Sequence, residues 1–102
     1  MNEYHLGDRV RIGLSTPFTA NGSAFDPEVV NFLIRLPDGT LTKYTYLTDP
    51  EVVKNAIGDY EMEIDADLSG IYRYTVEGVT SGGENQGAYD GAFKVLRRRT
   101  TI

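Results

Sequence analysis

Five carboxylates recur at every second position in the stretch GDYEMEIDADLSG: Asp59, Glu61, Glu63, Asp65 and Asp67. Carboxylate oxygens suit calcium, a hard cation, but the spacing along a strand does not. Alternate residues of one strand stand roughly 6.5 to 7 Å apart, whereas calcium oxygens converge within about 2.5 Å of one ion, so at most two neighbours can share it. Asp65 and Asp67, where the stretch approaches Gly70, are the only calcium candidates this leaves, and they are weak ones. The other reading is a strand whose acids face water while Tyr60, Met62 and Ile64 face a core.

Few other residues offer chemistry. His5 is the single histidine and lies near the start, in a segment expected to be mobile, so neither a histidine-assisted nucleophile nor a multi-histidine metal centre is expected. Ser15, Ser23, Ser69 and Ser81 fall in turn or loop contexts, and none sits in a G-x-S-x-G elbow. Gly82, Gly83 and Gly87 lack the Lys-Ser/Thr that follows in a phosphate-binding loop. A glycosidase needs two acids across a cleft, which a filled sandwich of this size rarely provides. The chain therefore reads as non-enzymatic, with no catalytic residue and no cofactor.

Composition narrows the class further. At 102 residues the chain is the size of one domain, with 40% hydrophobic and 25% charged residues. No stretch approaches the roughly 20 consecutive apolar residues of a membrane span, and no basic segment followed by an apolar run marks the N-terminus for secretion. Folding in the cytoplasm is the expectation. The absence of cysteine leaves no disulfide and no thiolate metal site. The net charge is −5, and without Arg97, Arg98 and Arg99 the rest carries −8. An acidic body repels nucleic-acid phosphates, and a short basic tail over 97–102 fits a solvated terminus or a peg for an acidic protein partner better than a nucleic-acid arm.

The elements that must carry these residues are strands. Alternation with a period of two recurs at intervals too short for intervening helices. Val10, Ile12 and Leu14 share one face of a first strand, followed by the turn residues Pro17, Asn21 and Gly22. Val29 to Leu36 places Val30, Phe32 and Ile34 on one face and Asn31, Leu33 and Arg35 on the other, and Pro37-Asp38-Gly39 turns it into a hairpin with Leu41 to Leu47. Asp49 to Val53 opens either a short helical turn or an edge strand. Strands are expected over 59–65, 71–78 and 88–96, with a polar, glycine-rich loop over 80–87 that cannot pack. Six or seven short antiparallel strands in about 100 residues predict an all-β sandwich or small barrel forming one domain over 1–102. Leu68-Ser69-Gly70-Ile71-Tyr72 favours an immunoglobulin-like antiparallel sandwich of about seven strands, because there a small residue precedes a tyrosine whose hydroxyl ties down a corner.

Taken together, HLGDRVRI, a DP before a strand ending in PDG, a GDY strand, SGIYRYTVEG and a final GAFKVL resemble small immunoglobulin-like proteins encoded among the virion morphogenesis genes of tailed phages and prophages. That resemblance spans most of the chain and carries no catalytic residue. It implies a virion structural protein, made in the bacterial host cytoplasm and then built into the particle. The implied partners are phage capsid, neck or tail proteins, at the head surface, the head-to-tail junction or the tail, with homo-oligomers left open. The alternative is a module binding carbohydrate or another cell-surface ligand through Tyr44, Tyr46 and Tyr89.

Two placements follow from the patterning. Five like charges along one strand call for cations on a neighbour, since opposite charges across a ladder contribute roughly 0.2 to 1 kcal/mol per pair. Arg9 and Arg11 alternate with Val10 and Ile12, and in an immunoglobulin-like sandwich the two strands concerned are antiparallel neighbours. Glu61 and Glu63 are thus predicted beside Arg9 and Arg11 on an exposed face. On the other sheet, Phe32, Tyr72, Tyr74, Val76, Phe93 and Val95 are expected inward, leaving Leu33, Ile71 and either Tyr44 or Tyr46 outward among Arg35, Arg73 and Lys94. That face, with the Gly82 to Tyr89 loop and the basic residues Arg97, Arg98 and Arg99, is the expected partner-binding surface.

Overall fold

The structure, a computed structural model, describes residues 1–14 and 16–97. Ten strands and no helix occur among them: β1 (Asn2–His5), β2 (Arg9–Gly13), β3 (Thr19–Ala20), β4 (Ser23–Ala24), β5 (Val29–Arg35), β6 (Leu41–Thr45), β7 (Val53–Ala56), β8 (Asp59–Asp65), β9 (Gly70–Val79) and β10 (Asn85–Leu96). A five-stranded sheet runs in the order β1-β10-β9-β5-β6, a three-stranded sheet in the order β2-β8-β7, and β3 pairs with β4 alone.

The two larger sheets enclose one core because each strand alternates. Val30, Phe32 and Ile34 of β5, Tyr72 and Val76 of β9, and Phe93 and Val95 of β10 are buried against Val10 and Ile12 of β2 and Tyr60 and Met62 of β8. Aromatic rings fix the packing at one end, where Tyr72 and Phe93 stack with centroids 4.8 Å apart and Tyr4 meets Phe93 edge-on at 5.5 Å. The result is an all-β sandwich. Its strand order is that of an immunoglobulin-like domain: the three-stranded sheet corresponds to strands B, E and D, the larger sheet to G, F and C with one strand added at each edge. The corner motif lies where the sequence predicts it, with the Leu68 amide donating to the Tyr72 hydroxyl at 3.2 Å.

Several local expectations are corrected. The segment expected to be mobile around His5 is strand β1, and it runs parallel to β10, from Asn2↔Phe93 to His5↔Leu96, so the larger sheet is not purely antiparallel. Tyr4 holds it by packing on Phe93, and the ladder continues as the Leu6 amide donates to the Leu96 carbonyl at 3.0 Å. The count exceeds about seven strands because of β1 and the β3–β4 hairpin, whose two-residue Asn21-Gly22 turn has φ of 53° and 81°. Of the two readings left open for Asp49 to Val53, the edge strand is the nearer one: a turn over 49–51 leads into edge strand β7, which starts at Val53. The glycine-rich loop shrinks to 80–84, closed by the Thr80 amide donating to the Glu84 carbonyl at 2.8 Å and the Gly83 amide to the Thr80 carbonyl at 2.9 Å. Residues 85–87 belong to β10, where an added Cβ on Gly87 would stand 3.0 Å from the Phe18 ring. Glycine there leaves room for that ring.

Candidate interaction surface

The outer face of the three-stranded sheet is electrostatically closed. Arg9 stands opposite Asp65 and Arg11 opposite Glu63 in the β2–β8 register. Arg9 Nη1 lies 2.8 Å from Asp65 Oδ1 and its Nε 3.5 Å from Glu63, while Arg11 Nε lies 3.0 Å from Glu61. The predicted juxtaposition of Glu61 and Glu63 with Arg9 and Arg11 is therefore present. Asp65, bonded to Arg9, pushes that guanidinium above its ordinary pKa. Asp67 has left the strand, its amide turning back to the Asp65 carbonyl at 3.0 Å. No group of three or more His, Cys, Asp or Glu side chains is placed to hold a metal ion among the described residues.

The outer face of the five-stranded sheet is different. Leu33, Arg35, Ile71 and Arg73 lie on it together, with Lys43 opposite Leu33 and Lys94 opposite Ile71. Arg35 and Arg73 face each other across the β5–β9 ladder, and Arg35 donates to the Gly39 carbonyl at 2.9 Å. Among the described residues, Arg35, Lys43, Arg73 and Lys94 make no ion pair, whereas Arg9, Arg11 and Lys54 on the other sheet all do. Leu41 and Ile71 stand beside these cations at 53% and 40% exposure. A hollow of about 480 Å³ lies among Leu33, Arg35, Leu41, Arg73, Thr75 and Asp90. Gly91, which has no side chain, forms part of its lining. Asp90 is turned aside, accepting from the Thr75 hydroxyl at 2.6 Å.

The tyrosines do not join this face. Tyr89 lies opposite the buried Val76, on the inner side of β10, with its ring 6.4 Å from Tyr74. Tyr44 lies opposite the buried Phe32. Tyr46 packs edge-on against Tyr60 at 5.1 Å, so neither Tyr44 nor Tyr46 belongs to the outer surface. Arg97 is exposed just past β10, while Arg98, Arg99 and Ser15 lie outside the described residues.

One polar cluster escaped the sequence reading. Asp26 accepts from the Gly58 amide at 2.8 Å, the Tyr60 hydroxyl at 3.0 Å and Lys54 Nζ at 2.6 Å, joining the segment before β5 to the β7–β8 hairpin. Lys54 and then the Gly58 amide hold its carboxyl below the usual carboxylate range. Burial, followed by the bond to Asp26, pushes the Tyr60 hydroxyl well above its ordinary value. The only sequence signal is an Asp-Pro before a strand, which says nothing of partners some thirty residues away. Comparison of the chain with protein-family models finds no match, and a search of curated proteins finds no significantly similar sequence.

Proposed function

We propose that the chain is a non-enzymatic structural and interaction module of a tailed-phage virion, docking on a symmetric assembly through the outer face of its five-stranded sheet. The observation that carries the reading is the contrast between the two outer faces. One neutralises its cations internally; the other leaves Arg35, Lys43, Arg73 and Lys94 without an ion pair among the described residues, beside exposed Leu41 and Ile71. Unpaired cations interspersed with apolar side chains around a hollow suit a partner that brings carboxylates and a protruding apolar residue. The sequence resemblance supplies the phage context, in which the head surface, the head-to-tail junction and the tail all offer such repeated partners. The tyrosine-based carbohydrate reading draws less support, because Tyr44, Tyr46 and Tyr89 are spread over the inner side of the sandwich and form no common exposed platform. The test is mass spectrometry of gradient-purified particles of the phage or prophage that encodes the chain. A fixed multi-copy ratio to a major head or tail protein is expected, and absence from the particles overturns the proposal.

A further inference from the structure

Among the described residues, two other than glycine have positive φ: Asn21 at 53° and Leu47 at 75°. Asn21 has its reason in the β3–β4 turn, a place that asparagine suits. Leu47 has no such reason. The left-handed region disfavours a bulky apolar residue, and glycine or asparagine would take it at lower cost. Nor does burial compensate, because Leu47 is 86% exposed. The turn that presents it is nonetheless firmly tied: the Tyr46 amide donates to the Val30 carbonyl at 3.0 Å, and the Thr48 and Asp49 amides donate to the Thr45 carbonyl at 3.1 and 2.8 Å. The Asp49 carboxylate closes it by accepting from the Thr45 amide at 2.8 Å. Leu47 is thus a fixed apolar knob, and a side chain held out at a strained position points to use outside the fold. Between Lys43 and Lys54 the chain carries Asp49 and Glu51 and no cation, so the knob sits on an acidic connection.

A receptor of matching chemistry lies elsewhere on the same chain. The hollow on the outer face of the five-stranded sheet is lined by Leu33 and Leu41 and by Arg35 and Arg73, which make no ion pair among the described residues. It takes in the Leu41 end of β6, whereas Leu47 follows the Thr45 end, and Leu41 to Thr45 alone spans about 13 Å. The exposure of Leu47 shows that it does not fill the hollow of its own copy. We propose that Leu47 of one copy of this chain inserts into the hollow of the next, bringing the acidic connection that carries it against Arg35 and Arg73.

Knob and hollow are different surfaces, so the contact is heterologous: each copy offers one of each, and repetition closes a ring or extends a filament. The inference rests on the reading of this face as a docking surface and names part of its partner. The hollow takes the next copy, while Ile71 and Lys94, which do not line it, are left to the particle.

Sedimentation of the full chain from micromolar to near-millimolar concentration tests the inference. Species larger than a dimer are expected, and fewer of them as salt screens the arginine–carboxylate contacts. L47N removes the knob and suits its backbone angle, so it should melt no lower than the parent while association weakens by about tenfold or more. L41E/R73E, which alters two exposed residues of the hollow, should weaken association to a similar degree. Each variant keeps the surface that the other has lost, so an equimolar mixture should form one-to-one dimers and nothing larger. The fold of L41E/R73E is checked by circular dichroism; should it fail to fold, L47N decides alone. A parent that stays monomeric, an L47N that associates as strongly as the parent, or a mixture of folded variants that forms no dimer overturns the proposal. A monomeric parent that still pellets with particles sinks this inference and leaves docking standing, whereas an associating parent that does not pellet does the reverse.

Discussion

Two hydroxyl contacts hold opposite ends of this sandwich, and only one is visible in the sequence. Tyr72 is legible because Leu68-Ser69-Gly70 precedes it at the spacing a strand corner needs, all within five residues. Tyr72→Phe removes the acceptor of the Leu68 amide and is expected to cost about 1 kcal/mol, or roughly 4 to 8 °C in melting temperature, measured by thermal denaturation. Asp26 is not legible, because Lys54, Gly58 and Tyr60 reach it only once the fold is formed. Its carboxyl has a folded pKa below its unfolded one, so the charged form contributes stability that is fully present above about pH 4 to 5 and is lost as the pH falls through the folded value. Asp26→Asn is therefore expected to be less stable than the parent chain near neutrality, with a gap that narrows as the pH drops below 4. Urea midpoints across that range check the sign; a gap that widens on acidification would contradict it.

At the scale of elements, alternation carried most of the fold. Strand β8, the β5–β6 hairpin and the β2–β8 pairing can be placed from period-two patterning and charge matching, because each has a full set of inward side chains. Strand β1 and the 85–87 end of β10 were less visible. Asn2, Glu3, Asn85, Gln86 and Gly87 have little strand propensity, and what recruits them is an existing sheet edge or hairpin ladder. The turns bear a sharper prediction. Gly58 and Gly39 both have positive φ, 75° and 92°, but a Cβ on Gly58 would stand 2.8 Å from the carbonyl oxygens of Phe18 and Phe25, while one on Gly39 meets nothing within 4 Å. Gly39→Ala should cost about the 1 to 2 kcal/mol of a left-handed residue. Gly58→Ala should cost clearly more, by denaturant titration, because rigid backbone must also shift. Equal losses would mean that the β7–β8 turn is not packed against the Phe18 and Phe25 segment. For the β2–β8 ladder, Arg11→Ala is expected to lower the melting temperature at low salt and to do so less at high salt, as an exposed pair does.

Over the whole molecule, two sheets back to back make a body of 52 × 23 × 21 Å with two unlike faces. The sequence could place Leu33, Arg35, Ile71 and Arg73 together, since alternation alone puts them on one side. It could not show that Arg35 and Arg73 go without an ion pair among the described residues, because pairing depends on which strands adjoin and on where Asp90 turns. Nor could it reveal that β7 begins only at Val53, which leaves β8 beyond Glu61 without a partner strand on that side among the described residues. Docking through the open cationic face is the centre of this account. It is tested most directly by sedimenting purified particles that lack the chain with added parent protein or with I71E/R73E. Both changes are to exposed side chains, so the variant should keep the parent's fold and melting behaviour. The parent is expected to pellet with the particles at saturable stoichiometry while the folded variant remains in the supernatant. Equal binding of the two, or no binding of either, would contradict the account.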